Sequence, residues 1–255
     1  MKKPSQYRLL LRVLTTLISL GGVTYETSAA GSEPSVTYIE GSRKQFFIAP
    51  RLTFDPSNAT HVLPGLNSCK CQMACFARRP TDCQAWSFFG VSGEIGECRL
   101  IDSGPETTDL LPDENAFYYF RKSSVLGTYS WQDDGLLYAT LNATYYADPA
   151  RERCSRIPGH RLIIVKSMKT YEFFGSLSKV NEKPPWLANL RKYSNGSILW
   201  GDGSDSTVTQ GSIISNANTF ESLYISYSGK VDDVGDLNAG PFRVLCQANP
   251  LGIDW

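Results

Sequence analysis

Cysteine placement constrains this chain more than any other feature. Five of its seven cysteines crowd into 69–98, and the other two stand far apart at 154 and 246. The distribution divides the chain near 122–127, with a cysteine-dense part before the division and a part free of cysteine as far as Cys154 after it. Whether these thiols cross-link depends on compartment, and the start of the chain speaks to that.

Lys2, Lys3, Arg8 and Arg12 precede the short apolar run Val13 to Val23, and small residues follow at Thr27-Ser28-Ala29-Ala30. That order describes a secretory signal peptide over residues 1–30, cleaved after Ala30. A membrane anchor needs roughly 20 apolar residues, and Arg12 leaves too few after it. No later stretch is long or apolar enough to span a membrane, so the expected product is soluble, secreted and extracellular. Cleavage removes four bases and Glu26, turning 25 bases and 25 acids into 21 and 24, a net charge of −3. No basic block remains, which argues against nucleic acid or an anionic membrane as partner. Secretion makes disulfides the default for the cysteines, and it disfavours zinc as the reason for their clustering. Asn58-Ala-Thr60, Asn142-Ala-Thr144 and Asn195-Gly-Ser197 are acceptor sites for N-glycosylation.

The segment 67–79 predicts a short helix on which Cys71 and Cys75, at i and i+4, leave one face. Cys83 to Phe89 and Cys98 to Ile101 have strand composition, separated by a turn over Gly90 to Gly96. The aromatic run Ala116 to Phe120 is a further strand, closed by Arg121-Lys122. A helix offering two cysteines to neighbouring strands can be stapled by Cys75–Cys83 and Cys71–Cys98. The Cys-x3-Cys helix, the Cys-x-Ala-aromatic-Ser-aromatic strand, the next Cys-x-Leu and the closing Tyr-Tyr-Phe-Arg resemble a PAN/apple domain over residues 40–122, after an N-terminal segment 31–39. That resemblance implies one helix on a small antiparallel sheet, and binding of proteins or carbohydrates. Cys69 departs from the pattern: two residues before Cys71, it points about 200° around the helix. It is left unpaired, exchanges with Cys71, or forms an intermolecular disulfide that would link a dimer.

From Gly135 the chain predicts a strand (136–142), a helix carrying Tyr146, Ala150, Cys154 and Ile157, and a strand at Leu162 to Val165. Ser167 then caps a helix over Thr170 to Val180. Strands at 186–190, 198–200, 223–227 and 242–246 follow, with a long polar stretch between Gly201 and Phe220. Cys154, Trp186-Leu-x-x-Leu190, Trp200-Gly-Asp-Gly203, Glu221-Ser-Leu-Tyr-Ile225 and Phe242-Arg-Val-Leu-Cys-Gln247 together resemble a C-type lectin-like domain over 126–250. The resemblance implies a Cys154–Cys246 disulfide. It also implies a second bridge, at whose positions Leu223 and about Asp236 stand instead. The fold class expected for the whole is α+β, two small disulfide-stapled modules, the second with a long polar loop.

Sugar-binding members of that family carry Glu-Pro-Asn or Gln-Pro-Asp in the loop, and this chain has neither near Ile213-Ile-Ser215. Part of a calcium constellation survives in Glu221, Asp232 and Asp233, with Asn216 and Asn218 as further oxygen donors. Calcium takes six to eight oxygens, and the competing reading is a solvated turn of Asp232, Asp233 and Asp236 beside Gly229 and Gly235. His61 and His160 lack neighbours suited to zinc or nucleophilic chemistry, and His160 is expected at the surface. Asp133-Asp134 is expected to be an ordinary exposed pair in a Gly-ended turn. No catalytic constellation is evident. The expected function is non-enzymatic extracellular recognition of a glycan or protein ligand without calcium or other cofactor. The alternatives are a calcium-dependent carbohydrate-binding lectin, as in innate immune recognition, and an extracellular assembly or matrix adaptor.

Overall fold

The computed structural model describes residues 36–41, 45–90, 94–177, 184–193, 195–206, 213–214, 223–225, 231–233, 241–253 and 255. Residues 1–30, where a signal peptide is expected, and most of the segment 31–39 lie outside the described residues. The fold is α+β, mostly antiparallel sheet with three helices and three disulfides among the described residues.

The first half contains β1 (Thr37–Glu40), β2 (Gln45–Phe54), β3 (His61–Leu66), α1 (Ser68–Phe76), β4 (Ala85–Phe89), β5 (Gly96–Ile101) and β6 (Leu110–Arg121). The strands form one antiparallel sheet in the order β1-β2-β6-β4-β5-β3. The first four residues of β4 are all buried, so that strand is covered on both faces. Side chains alternate across a strand, and the sheet sorts its aromatics accordingly. Phe46, Trp86, Phe88 and Leu100 pack with Cys71 and Cys75 of α1. Phe47, Ala49, Ala85, Tyr118 and Phe120 form part of a different cluster on the opposite face.

The second half contains β7 (Gly127–Trp131), β8 (Leu137–Tyr145), α2 (Ala147–Arg156), β9 (His160–Leu162), α3 (Met168–Leu177), β10 (Trp186–Ala188), β11 (Leu190–Lys192) and β12 (Ile198–Trp200). It ends with β13 (Ile213–Ile214), β14 (Leu223–Ile225), β15 (Val231–Asp233) and β16 (Phe242–Ala248). Its large sheet runs β13-β15-β14-β10-β16-β8-β7, with β9 also paired to β16, and β11-β12 make a separate hairpin. Here too β8 divides its residues: Leu137, Ala139 and Leu141 meet Ala150 and Cys154 of α2, and Tyr138 meets Phe174 of α3, Trp186 and Trp200. Helix α2 buries Ala147, Ala150 and Cys154, a stripe at i, i+3 and i+7. Ser167 Oγ accepts from Thr170 N at 3.1 Å and caps α3.

Among the described residues no strand pairs across the division at 122–126, yet the halves share a core. One cluster runs from Phe47 and Phe120 through Tyr129 to Leu137 and Cys154. The Phe47 ring lies 4.8 Å from that of Phe120 and 5.2 Å from that of Tyr129. Residues Gly31–Trp255 accordingly form one compact unit.

Several elements differ from the sequence expectation. The strand expected at 162–165 is β9 at its start only. Ile164 N is then taken by the Gln247 side chain, 2.6 Å away, instead of a neighbouring strand. Tyr146 is the N-cap residue of α2 and 48% exposed, outside the helical stripe that sequence spacing gave it. His160 is buried rather than at the surface. Asp133 is exposed as expected, but Asp134 is half-buried and holds the turn. Its carboxylate accepts from Leu136 N, the Tyr138 hydroxyl and Thr170 Oγ1 at 3.0, 2.5 and 2.8 Å.

A candidate binding cleft between the two halves

The described cysteines form three bridges: Cys71–Cys98, Cys75–Cys83 and Cys154–Cys246, with Cα separations of 5.5, 5.4 and 5.4 Å. Asn67 caps α1 by accepting from Lys70 N at 2.9 Å, which sets the helix so that Cys71 and Cys75 face the sheet. Cys69 lies on the same helix, exposed and free. Asn58, Asn142 and Asn195 are all exposed.

Asn216, Asn218 and Glu221 lie outside the described residues. Asp232 and Asp233 occupy β15, which pairs with both β13 and β14, so the backbone there is strand and not the acidic turn considered from sequence. Among the described residues no group of three or more His, Cys, Asp or Glu could hold a metal ion. No described helix is long and apolar enough to cross a membrane.

Glu106 carries polar contacts between the halves, its backbone oxygen also accepting from Arg156 Nη1 at 3.4 Å. Glu106, 2% exposed, accepts from Leu126 N at 2.6 Å and forms an ion pair of 2.5 Å with Arg153 on α2. His160 Nε2 lies 2.9 Å from the Tyr129 hydroxyl and its Nδ1 lies 2.9 Å from Pro158 O, inside a cage that includes Phe47 and Phe120. Burial pushes the His160 pKa from 6.5 down to about 4, although the bond to Pro158 O works the other way. Between those values the unfolded chain binds a proton that the folded one refuses. Stability is therefore complete above pH 6.5 and falls with decreasing pH towards 4. The expected slope is about 1.4 kcal/mol per pH unit, or about 3 kcal/mol in all. Urea midpoints measured across that window should show this loss, and His160→Gln should flatten it. An unchanged slope in the variant would assign the acid sensitivity to other groups.

At the mouth of the same junction lies an open cleft of about 630 Å³, lined by Gln45, Phe76, Arg121, Lys122, Thr128 and Tyr129 among others. Arg121 ends β6 and is only 7% exposed. Its Nη2 donates to Cys75 O at 2.7 Å and Arg78 O at 3.3 Å, so it is anchored on carbonyls at and just past the C-terminus of α1. Its guanidinium also lies 4.4 Å from the Phe76 ring centroid. Burial lowers its pKa, with no carboxylate contributing to the shift. Lys122 Nζ stands 5.8 Å from the ring centroids of both Tyr38 and Tyr129.

The Trp200-Gly-Asp-Gly203 turn serves a structural purpose. Burial alone would raise the Asp202 carboxyl, but hydrogen bonds from Lys166 and Ser204 outweigh it and hold the pKa at about 2. Lys166 Nζ and Arg161 Nη1 approach Asp202 to 2.7 and 3.2 Å, and Arg161 stacks 3.7 Å over Trp255. This network ties the turn to the chain around Lys166. Sequence reasoning missed the cleft, because its lining comes from β2, α1, the end of β6 and β7, and no local pattern joins those segments.

No family model matches the chain, and no curated protein matches it. Among solved structures, one titled "SPL-1 - GlcNAc complex" aligns at 12% identity with a TM-score of 0.37, covering 50% of this chain and 97% of that one.

Proposed function

We propose that this chain is a secreted, non-enzymatic recognition protein that binds a glycan or protein ligand without calcium. In this reading a PAN/apple-like module (40–122) is packed against a C-type lectin-like module (126–250). The observation that carries it is the open cleft of about 630 Å³ where the two halves meet. That volume suits a small ligand or the tip of a larger one. Three disulfides and three exposed acceptor asparagines are compatible with an extracellular protein. Binding to an array of glycans, run once with calcium and once with chelator, tests the reading. Undiminished binding in chelator supports it, and loss of all binding in chelator favours a calcium-dependent lectin instead.

The calcium-dependent reading rests on Glu221, Asp232 and Asp233 in the sequence. Three carboxylates lacking the loop tripeptide would make a weak site, about 10⁻⁴–10⁻³ M. At ten times its Kd the ion would stabilise the fold by about 1.4 kcal/mol. The expected result is that millimolar calcium leaves the melting midpoint unmoved and that Asp233→Asn leaves ligand binding intact. A calcium-dependent rise in Tm abolished by Asp233→Asn would reverse the order of the two readings.

A further inference from the structure

The cleft holds two cations that no carboxylate among the described residues pairs with. Arg121 is buried, and its hydrogen bonds run to two carbonyls and one sulfur, with no carboxylate among its partners. Its Nε is buried and unbonded. Its Nη1 makes no bond within the protein and is not one of the buried orphans, so it reaches solvent. Lys122 beside it touches aromatic faces and pairs with no described acid. Buried charges are ordinarily paired, and a helix C-terminus supplies only about half a negative charge to Arg121. The hydroxyl of Thr128 and the amide of Gln45, whose Nε2 also donates to Glu40 Oε1 at 2.8 Å, stand on opposite elements of the same cleft and add hydrogen-bonding groups.

We infer that the cleft between the halves is an anion-recognition site, with Arg121 Nη1 and the Lys122 ammonium binding a carboxylate or sulfate on an acidic saccharide. This rests on the glycan-binding reading and deepens it. A planar guanidinium suits either oxyanion, and its charge-assisted bonds are about twice as strong as neutral ones. Fixed by the carbonyls of α1, Arg121 is preorganised and loses little freedom when a ligand arrives. Lys122 adds a second charge from the rim, and the polar groups take the sugar hydroxyls.

The test uses immobilised lactose, its sulfate ester and its sialylated form, with the full protein in chelator. Lys122→Glu is the main variant because its side chain is half-exposed and its charge meets only the Tyr38 and Tyr129 rings, each at 5.8 Å. Arg121→Lys is the second, since it keeps a cation near the α1 carbonyls and loses the fork. The expected result is tighter binding of one or both acidic sugars than of lactose. Lys122→Glu should weaken that binding by roughly tenfold with Tm unchanged, and Arg121→Lys should weaken it as well. Preference for the sialylated or the sulfated probe identifies the carboxylate or sulfate as the natural group. Equal binding of acidic and neutral sugars, or binding indifferent to Lys122→Glu, overturns the inference and leaves glycan recognition standing. Failure to bind any saccharide on a full array overturns both.

Discussion

Cys154→Ala is expected to destabilise the protein by about 4–5 kcal/mol, and Cys69→Ala to leave its stability nearly unchanged. The Cys154–Cys246 bridge closes a loop with a sequence separation of 92, against 27 and 8 for the other two. Chain entropy grows with the logarithm of loop length, which gives about 4–5 kcal/mol for the long loop. The bridge also joins α2 to β16 at the centre of the second half, where Cys154 and Cys246 are fully buried. Total stabilities of domains run to about 5–15 kcal/mol, so the loss should also reduce the yield of folded protein sharply. Cys69 is exposed and unpaired, and alanine removes neither a bridge nor core packing there. Urea unfolding followed by tryptophan fluorescence separates the two. Equal midpoints for both variants would show that the 154–246 bridge does not hold the fold.

The parts legible in the sequence are those written by local periodicity. The i,i+4 cysteine pair marked α1, and the aromatic strands around 86 and 118 stood out because alternate residues there are large and apolar. The strand β2 did not, although it is ten residues long. Phe46-Phe47-Ile48-Ala49 is apolar on both faces, so period two is invisible, and Pro50 argues against a strand. The fold accommodates that proline with an irregularity between Pro50 and Leu52, where Arg51 adopts φ 60°. The edge strand β3 was hidden by Pro64 and Gly65, which an edge tolerates. His160 was misplaced for a different reason. A histidine after Pro-Gly is ordinarily solvated, and only the tertiary approach of Phe47 and Phe120 from the other half encloses it. The cleft was illegible for the same reason, since Arg121 closed a strand in sequence and became a buried cation, paired with no carboxylate among the described residues, only when α1 packed above it.

The contact that most directly tests how the halves are joined is Glu106 with Arg153, and Glu106→Ala is expected to cost about 3–5 kcal/mol. Glu106 follows β5 in the first half, and Arg153 belongs to α2 in the second. The acid is 2% exposed and also accepts from Leu126 N, so its removal orphans both a cation and a backbone donor. Losing one partner of a buried pair is strongly destabilising because the other charge remains desolvated. The Arg153 side chain is 22% exposed and can turn partly towards water, which places the loss near the lower end of that range. Arg153→Ala leaves the carboxylate deeper in the protein than Glu106→Ala leaves the guanidinium, so it should be at least as damaging. The double variant should then lose less than the sum of the two singles, by about 1–3 kcal/mol of coupling. Additive losses would mean that Glu106 and Arg153 act independently, and that the shared apolar core alone holds the halves together.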